Sequence, residues 1–281
     1  METFRGRVAV VTGAASGIGR GLAEKAAAEG MHVVLADVEP GALEQTEREM
    51  REGGADVLAV RTDVSKAADV EALADRATER FGAVHVLCNN AGVGGGGLSW
   101  ESPIEDWDWV LGVNLRGVVN GIRSFVPLMI KGGDEGHIVN TASVAGLMPG
   151  AGGASYTASK FAVVGVTESL YYELMITGNT KIGVSVLCPG AVDTKIIDSM
   201  RNHPSRRDDP PAEGTPEAIG LAMVRQALAA GMKPAQLADI VFDAIREKRF
   251  YILPHPEHNG VITKRTEAIL AGTAPPAIGM A

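Results

Sequence analysis

Four polar side chains in this sequence could carry acid–base chemistry, namely those of Asn114, Ser143, Tyr156 and Lys160. Tyr156 and Lys160 are four residues apart, a spacing that places both side chains on one face of a helix. We expect the lysine ammonium to favour the phenolate and so to lower the tyrosine pKa from its usual value of about 10. Tyr156 could then exchange a proton with an alcohol or a ketone while Ser143 holds the same oxygen. Asn114 could hold a water molecule that passes the proton to solvent beside Lys160.

Three glycines, Gly13, Gly17 and Gly19, lie between the first apolar run and the first amphipathic segment. Because glycine has no β-carbon, such a turn lets a pyrophosphate approach the N-terminus of the following helix. The spacing Gly-x-x-x-Gly-x-Gly differs from the Gly-x-Gly-x-x-Gly of most dinucleotide-binding folds, and glycine is common here, with 35 copies. The position between strand and helix nevertheless predicts a dinucleotide cradle, which would bring a hydride carrier to the four polar side chains.

Asp37 ends the second apolar run and bears on the choice of dinucleotide. A carboxylate at this place can accept hydrogen bonds from both ribose hydroxyls of an adenosine, and it repels a 2′-phosphate. No basic residue adjoins Asp37 in sequence, and the cation to consider is Arg20 in the first helix. We therefore expect NAD as the cofactor rather than NADP. The alternative is that Asp37 caps the helix predicted over 41–52, although Pro40 intervenes.

Short apolar runs alternate with amphipathic segments along the chain. The runs lack the polar alternation of half-exposed strands, so helices are expected to cover both faces of the sheet. The pattern predicts an α/β fold, a doubly wound, Rossmann-like parallel sheet of seven strands in a single domain over residues 1–281. Strands are predicted over 7–12, 32–37, 56–61, 84–89, 136–142, 182–188 and 249–253, and helices over 18–29, 41–52, 66–81, 104–130, 155–177, 215–231 and 235–247.

The regions outside this pattern are assigned to a lid, a tail and a pocket wall. Residues 195–231 are predicted to form a substrate-binding lid, because their polar, proline-rich part over 201–216 is long for a connection inside a compact domain. A solvated connector is the alternative. Residues 255–281 are expected to be a C-terminal tail. Met148 and Pro149 follow the candidate serine closely and are expected to line the pocket and make it apolar.

The composition favours a small-molecule substrate. The net charge is −8, which disfavours nucleic acids and anionic membranes as partners, and no apolar run reaches the roughly 18 residues that span a membrane. Cys88 and Cys188 lie in apolar runs, so we expect them in the core, without a disulfide, and the chain in the cytoplasm. Of six histidines only His255 and His258 lie close together, so no metal site is predicted.

A set of short motifs follows in order along the chain: Thr12–Gly19, Asp63–Val64, Asn89–Gly92, Asn114, Ser143, Tyr156–Lys160 and Pro189–Thr194. As an ordered set these motifs resemble those of the short-chain dehydrogenase/reductase family, and the resemblance covers residues 7 to about 253. The resemblance implies that Asp63 and the Val64 main chain hold adenine and that Asn90 lies along its ribose. It also implies that Lys160 bonds the nicotinamide ribose. The carboxamide would be bound by Val192 and Thr194. The cofactor-binding residues expected from the cradle and the resemblance together are Gly13, Ser16, Gly17, Ile18, Gly19, Asp37, Asp63, Val64, Asn90, Ala91, Gly92, Tyr156, Lys160, Pro189, Gly190, Val192 and Thr194.

The predicted activity is hydride transfer between NAD(H) and a secondary alcohol or its ketone. A weaker similarity over 106–114 and 250–257, to a bacterial branch that oxidises aryl or bulky alcohols, favours a bulky or hydrophobic substrate. Two alternatives stay open: an NADPH-dependent reductase of 3-oxoacyl thioesters, and a non-catalytic NAD-binding regulator. The resemblance also implies a homotetramer or a homodimer built on the helices over 104–130 and 155–177.

Overall fold

The computed structural model describes residues 1, 3–205 and 214–276. In this part of the chain seven parallel strands form one sheet in the order β3-β2-β1-β4-β5-β6-β7. The strands are β1 (Val8–Thr12), β2 (His32–Asp37), β3 (Val57–Arg61), β4 (Val86–Asn89), β5 (Gly136–Thr141), β6 (Ile182–Leu187) and β7 (Tyr251–Ile252).

Helices cover both faces of this sheet, as the apolar runs predict. The predicted strands and helices are confirmed, each within two residues of its expected bounds. The helices are α1 (Gly17–Ala28), α2 (Pro40–Glu52), α3 (Ala67–Phe81), α4 (Ile104–Leu111), α5 (Gly117–Gly132), α6 (Ala154–Ile176), α7 (Pro216–Ala229), α8 (Pro234–Glu247) and α9 (Asn259–Ala271).

The side chains of β1 alternate between two apolar cores. Val10 belongs to the core that includes Phe125 of α5, whereas Val11 belongs to the core that includes Leu22 of α1 and Phe242 of α8. All of these side chains are 0–1% exposed. Burying a side chain of this size stabilises the fold by about 1.5–3 kcal/mol, so covering both faces explains the unbroken apolar runs.

The strand order reverses between β1 and β4. From β1 the chain crosses to β2 and β3 on one side, and β4 returns to pair with β1 on the other, with Val10 beside both Val34 and Leu87. In sheets of this kind a crevice opens beyond the carboxyl ends of the strands at the reversal. The glycine turn after β1 and the loop after β4 therefore face each other across one cleft.

Three regions differ from the expected pattern. The helix predicted over 104–130 contains a π-turn, Gly112–Arg116, between α4 and α5. The expected tail over 255–281 contains α9, a helix that the sequence pattern does not predict because none of its residues is buried. The lid region over 195–231 contains a 3₁₀ segment, Ile196–Asn202, and α7, while residues 206–213 lie outside the described part. None of the described helices has the length and apolarity needed to cross a membrane.

Candidate active site

Ser143, Tyr156 and Lys160 meet at the carboxyl end of β5. Ser143 lies two residues beyond the end of the strand, and its hydroxyl donates to the carbonyl oxygen of Pro189 at 3.4 Å. Tyr156 and Lys160 lie in the first two turns of α6, as their spacing predicts. The Lys160 ammonium donates to the carbonyl oxygen of Thr141 at 3.0 Å and lies 5.5 Å from the centroid of the Tyr156 ring.

Gly146 allows α6 to approach the end of β5 this closely. It ends a 3₁₀ turn, Val144–Gly146, that follows Ser143 directly. A β-carbon at Gly146 would lie 2.6 Å from the carbonyl oxygen of Lys160, so any other residue would push the helix away. The same turn leaves Met148 and Pro149 outside the cleft lining, and the expectation that they form a pocket wall is wrong.

Burial dominates the ionisation of the tyrosine–lysine pair. It raises the pKa of Tyr156, although a hydrogen bond with the Ser143 hydroxyl lowers it in part. Burial also lowers the pKa of Lys160 from 10.5 to about 8. The expectation that Lys160 brings the Tyr156 pKa below its usual value is therefore wrong for this cleft, because removing the phenolate from water outweighs the favourable contacts.

Asn114 lies in the π-turn between α4 and α5, and its side chain is fully buried. Its Oδ1 accepts a hydrogen bond from the Val93 amide at 2.8 Å. Its Nδ2 donates to the Val93 carbonyl at 3.0 Å and to the Ser159 hydroxyl at 3.1 Å. The side chain thus joins the loop after β4 to α6, and Asn114 does not itself line the cleft. Single π-turns within α-helices are frequent at functional sites.

The glycine turn forms a cradle that is packed too closely for β-carbons at its three glycines. Gly13 has φ +67°, and its β-carbon would lie 2.9 Å from the Cα of Ala91. Gly17 has φ +53°, and its β-carbon would lie 2.9 Å from the methyl group of Thr194. At Gly19 the β-carbon would lie 2.1 Å from the carbonyl oxygen of Gly13. The turn therefore requires glycine at these positions, and it lines the cleft at the N-terminus of α1, where backbone amides can bind a pyrophosphate.

Asp37 ends β2 beside this cradle. Its Oδ2 accepts a hydrogen bond from the Ala15 amide and its Oδ1 accepts one from the Glu39 amide, each at 3.0 Å. Burial raises the pKa of the Asp37 carboxyl, and the two backbone amides oppose the rise. α2 begins at Pro40 with Glu39 as its N-cap residue, so the alternative that Asp37 caps this helix is wrong.

Two arginines of this region, Arg20 and Arg201, bond carboxylates. Arg20 bonds Glu24 at 2.7 Å and Glu49 at 2.5 Å, and it does not line the cleft. Arg201 lines the cleft and bonds Glu39 at 2.6 Å. Burial raises the pKa of Glu39, but the hydrogen bonds from Arg201 and its neighbour hold that pKa below its usual value.

These groups surround one cleft of about 300 Å³. Asn114 and Gly19 lie behind its wall, and the other predicted catalytic and cofactor residues line it. Those lining residues are Gly13, Ser16, Gly17, Ile18, Asp37, Asp63, Val64, Asn90, Ala91, Gly92, Ser143, Tyr156, Lys160, Pro189, Gly190, Val192 and Thr194.

The cleft is also lined by residues that no sequence motif singles out. Trp109, Val113 and Leu228 add apolar surface to the cleft. Trp109 also packs edge-on against His203, with ring centroids 4.7 Å apart. The further lining residues are Val38, Glu39, Thr62, Ser65, Val93, Thr141, Ala142, Lys195, Ile196, Ser199, Arg201, Asn202 and Pro204. Lys195, Ile196, Ser199, Arg201, Asn202, Pro204 and Leu228 lie within the lid predicted over 195–231.

Known proteins are similar to this chain in sequence and in architecture. The family model described as short chain dehydrogenase matches residues 7–205. The chain is 37% identical to the CLA biosynthesis dehydrogenase/reductase of Lactiplantibacillus plantarum over 278 residues, which covers 98% of this chain and 97% of that protein. It is 44% identical to 1-deoxy-11-beta-hydroxypentalenate dehydrogenase of Streptomyces exfoliatus over 196 residues, 69% of this chain and 70% of that protein.

A solved structure extends the similarity to the whole chain. It is that of a short-chain dehydrogenase/reductase from Burkholderia phymatum in complex with NAD, which is 46% identical, with a TM-score of 0.93 and 100% of both chains covered. This chain belongs to the short-chain dehydrogenase/reductase family and is an oxidoreductase that acts on hydroxyl groups and the corresponding ketones.

Proposed function

We propose that this protein interconverts a bulky or hydrophobic secondary alcohol and its ketone with NAD, with Tyr156 as the acid–base. The observation that carries the proposal is the convergence of Ser143, Tyr156 and Lys160 on one cleft that also contains the glycine cradle and Asp37. When bound there, the nicotinamide cofactor supplies the acceptor or donor of the hydride.

Tyr156 exchanges the proton of the substrate oxygen, which the Ser143 hydroxyl holds by a hydrogen bond. In ketone reduction the phenol, whose pKa is raised by burial, already carries the proton that it donates. In alcohol oxidation a phenolate is required, and the Lys160 ammonium near the ring favours it. Rising pH should therefore favour oxidation over reduction.

Asn114 completes the proton relay in this proposal. Its side chain is fully committed to Val93 and Ser159, so a water molecule of the relay would have to be held by its main chain in the π-turn. Lys160 joins the relay through its position between Tyr156 and the carbonyl of Thr141.

The same cleft offers a place for each part of the cofactor. We assign the pyrophosphate to the turn from Gly13 to Gly19, with Ser16 and Ile18, and the adenine to Asp63 and Val64. The adenine ribose is assigned to Asp37 and Asn90, with Ala91 and Gly92 beside it. The nicotinamide half is assigned to Tyr156, Lys160, Pro189, Gly190, Val192 and Thr194. All of these residues except Gly19 line the cleft, which supports the assignment.

The preference for NAD over NADP rests on charge. The Asp37 carboxylate would repel a 2′-phosphate, and the nearby cations Arg20 and Arg201 are held by carboxylates of Glu24, Glu49 and Glu39. Lys195 also lines the cleft, so the repulsion between the Asp37 carboxylate and a 2′-phosphate carries this preference.

The proposal of a bulky substrate is based on the apolar side chains that the lid and α4 contribute to the cleft. We propose that the 195–231 region covers the substrate, because Ile196, Ser199 and Leu228 line the same cleft as Trp109. An apolar wall of this kind binds a bulky hydrocarbon group better than a small polar one.

The proposal is tested by a Tyr156→Phe substitution assayed on a panel of large and small secondary alcohols with NAD. We expect turnover to fall by at least about a hundredfold, since acid–base groups contribute that much. NADH binding, measured by fluorescence, should persist. Tyr172→Phe, at an exposed position of α6, is the matched control and should change neither. Unchanged turnover of Tyr156→Phe would remove Tyr156 from the mechanism, and turnover of small alcohols alone would refute the bulky substrate.

The proposal includes a cytoplasmic homotetramer or homodimer. α6 leaves four large side chains 44–78% exposed, those of Tyr171, Tyr172, Met175 and Ile176, and such a patch is typical of an interface. Both cysteines are unpaired and buried, in keeping with a reducing compartment. Light scattering of the purified protein would show a tetramer or a dimer, and a monomer would refute this part.

A further inference from the structure

His255 follows β7 and packs against the loop that leads from β6 to the cleft. Its ring is buried, with 8% exposure. The Gly190 amide donates to its Nδ1 at 3.0 Å, and its Nε2 lies 3.1 Å from the carbonyl oxygen of Ala191. Because Nδ1 accepts a hydrogen bond, the ring hydrogen is on Nε2, which donates to Ala191. One neutral histidine thus pairs with two consecutive residues of the loop.

This loop connects directly to the candidate catalytic serine. The carbonyl oxygen of Pro189 accepts hydrogen bonds from the Ser143 hydroxyl at 3.4 Å and from the Val144 amide at 3.0 Å. Pro189 and Gly190 line the cleft. A short chain of hydrogen-bonded groups therefore runs from the ring of His255 through the loop to Ser143.

The loop and the ring are in close contact. A β-carbon on Gly190 would lie 3.0 Å from Cγ of His255 and 2.8 Å from Nε2 of His258. The carbonyl oxygen of Ala191 also accepts the amide of Met232 at 3.0 Å, just after α7. His255 therefore shares its acceptor with the end of the lid region.

We propose that His255 is a positioning residue for hydride transfer. It holds the loop from Pro189 to Val192 in the conformation that presents Gly190 and Val192 to the nicotinamide half of the cofactor and keeps the Pro189 carbonyl on Ser143. The inference rests on the proposed function, which assigns this loop to the nicotinamide. A glycine-containing loop has much conformational freedom, and two hydrogen bonds to a rigid ring remove it.

Three variants test the role. His255→Phe keeps a ring of similar size but removes both hydrogen bonds, whereas His255→Gln keeps an acceptor and a donor. His258→Phe is the matched control, because this neighbouring ring makes no hydrogen bond to the loop among the described residues. The measurements are the NADH dissociation constant by fluorescence, kcat and the KM values for NAD and for the alcohol, and the melting temperature without cofactor.

We expect His255→Phe to weaken NADH binding by at least about tenfold, since the Gly190 amide loses its partner and the Ala191 carbonyl keeps only the Met232 amide. The KM for NAD should rise with it, and kcat should fall, while the KM for the alcohol changes less. His255→Gln should recover most of the loss, and His258→Phe should behave like the parent.

The inference would be overturned by a His255→Phe variant with a lower melting temperature but unchanged NADH binding and kcat. It would also be overturned by a folded His255→Gln variant with no recovery. If His255→Phe does not fold, His255→Gln decides alone, with parent-like NADH binding expected. Failure of the proposed function is seen separately, as a parent protein that binds NADH but oxidises no alcohol, and the dissociation constants remain informative in that case.

Discussion

Asn114 and Val93 exchange two hydrogen bonds, one with each polar group of the Val93 main chain. The pair is buried and joins the π-turn to the loop that follows β4. Because a side-chain amide has one acceptor and one donor side, asparagine matches a peptide group in a way that alanine or leucine does not. The residue at the π-turn thus determines where the neighbouring wall of the cleft lies.

We expect Asn114→Ala to lower the free energy of unfolding by about 2–4 kcal/mol, because the Val93 amide and carbonyl would both be buried without partners. Turnover should fall as well, since Val93 lines the cleft. Urea unfolding and steady-state kinetics provide the measurements. Asn179→Ala is the control, because its side chain bonds Thr177 at the surface and its loss should cost under about 0.5 kcal/mol. Equal effects of the two substitutions would contradict the role of Asn114.

Lys160 should destabilise the cofactor-free protein at neutral pH. Its pKa is 10.5 before folding and about 8 in the buried site, a difference that corresponds to about 3 kcal/mol. Below pH 8 the penalty is complete. Between pH 8 and 10.5 the unfolded chain binds more protons at this residue than the folded one, so the Lys160 contribution to stability rises with pH.

We therefore expect the Lys160→Met variant to have a higher melting temperature than the parent at pH 7. The difference between the two melting temperatures should become smaller towards pH 10. Thermal melts of both proteins across this range are the measurement, and other titrating groups cancel in the comparison. Lys181→Met, at an exposed position, should show no such trend. A Lys160→Met difference that stays constant with pH would argue against a buried ammonium.

Asp37→Ala should relax the choice of cofactor. Removing the carboxylate ends its repulsion of a 2′-phosphate, and at a few ångströms such repulsion amounts to one or more kcal/mol, so kcat/KM for NAD relative to NADP should fall at least about tenfold. Kinetics with both cofactors measure the ratio. Asp56→Ala, in which a surface ion pair with Arg80 is lost, is the control and should leave the ratio unchanged. A ratio unaffected by Asp37→Ala would exclude this residue from cofactor selection.

Gly19→Ala should disrupt the cradle. The new methyl group would meet the carbonyl oxygen of Gly13 at 2.1 Å, so the turn must move and NADH affinity should drop more than about tenfold. Fluorescence titration with NADH is the measurement. Gly41→Ala, in the first turn of α2 with open space around it, should bind NADH like the parent. Retained affinity in Gly19→Ala would mean that the turn does not hold the pyrophosphate.

The sequence predicts most of the sheet and its helices, because strands that are buried on both faces consist of continuous apolar runs, such as those of β1 and β2. α9 leaves no such record, since none of its residues is buried. The π-turn at Asn114 could not be predicted either. It depends on the hydrogen bonds that the Asn114 side chain makes with Val93, which is distant in sequence.

The geometry of the site follows from the sequence more directly than its electrostatics. Spacing alone brings Tyr156 and Lys160 to one helix face, but the direction of the Tyr156 pKa shift depends on how much water the folded cleft excludes. The role of Glu39 was not foreseen either, because its partner Arg201 lies in the lid, where no periodic pattern fixes the chain.

β1 lies inside the sheet, and segments from nearly the whole chain contribute to the cleft beside it. β1 carries the cradle, yet a second loop that lines the cleft follows β6, and His255 supports that loop from beyond β7. Parallel strands pair only after their crossovers close, which makes such contacts slow to form. During synthesis on the ribosome, both sides of the cleft therefore form only after the last strand has emerged. A dinucleotide would then bind at the end of folding and would not promote its early steps.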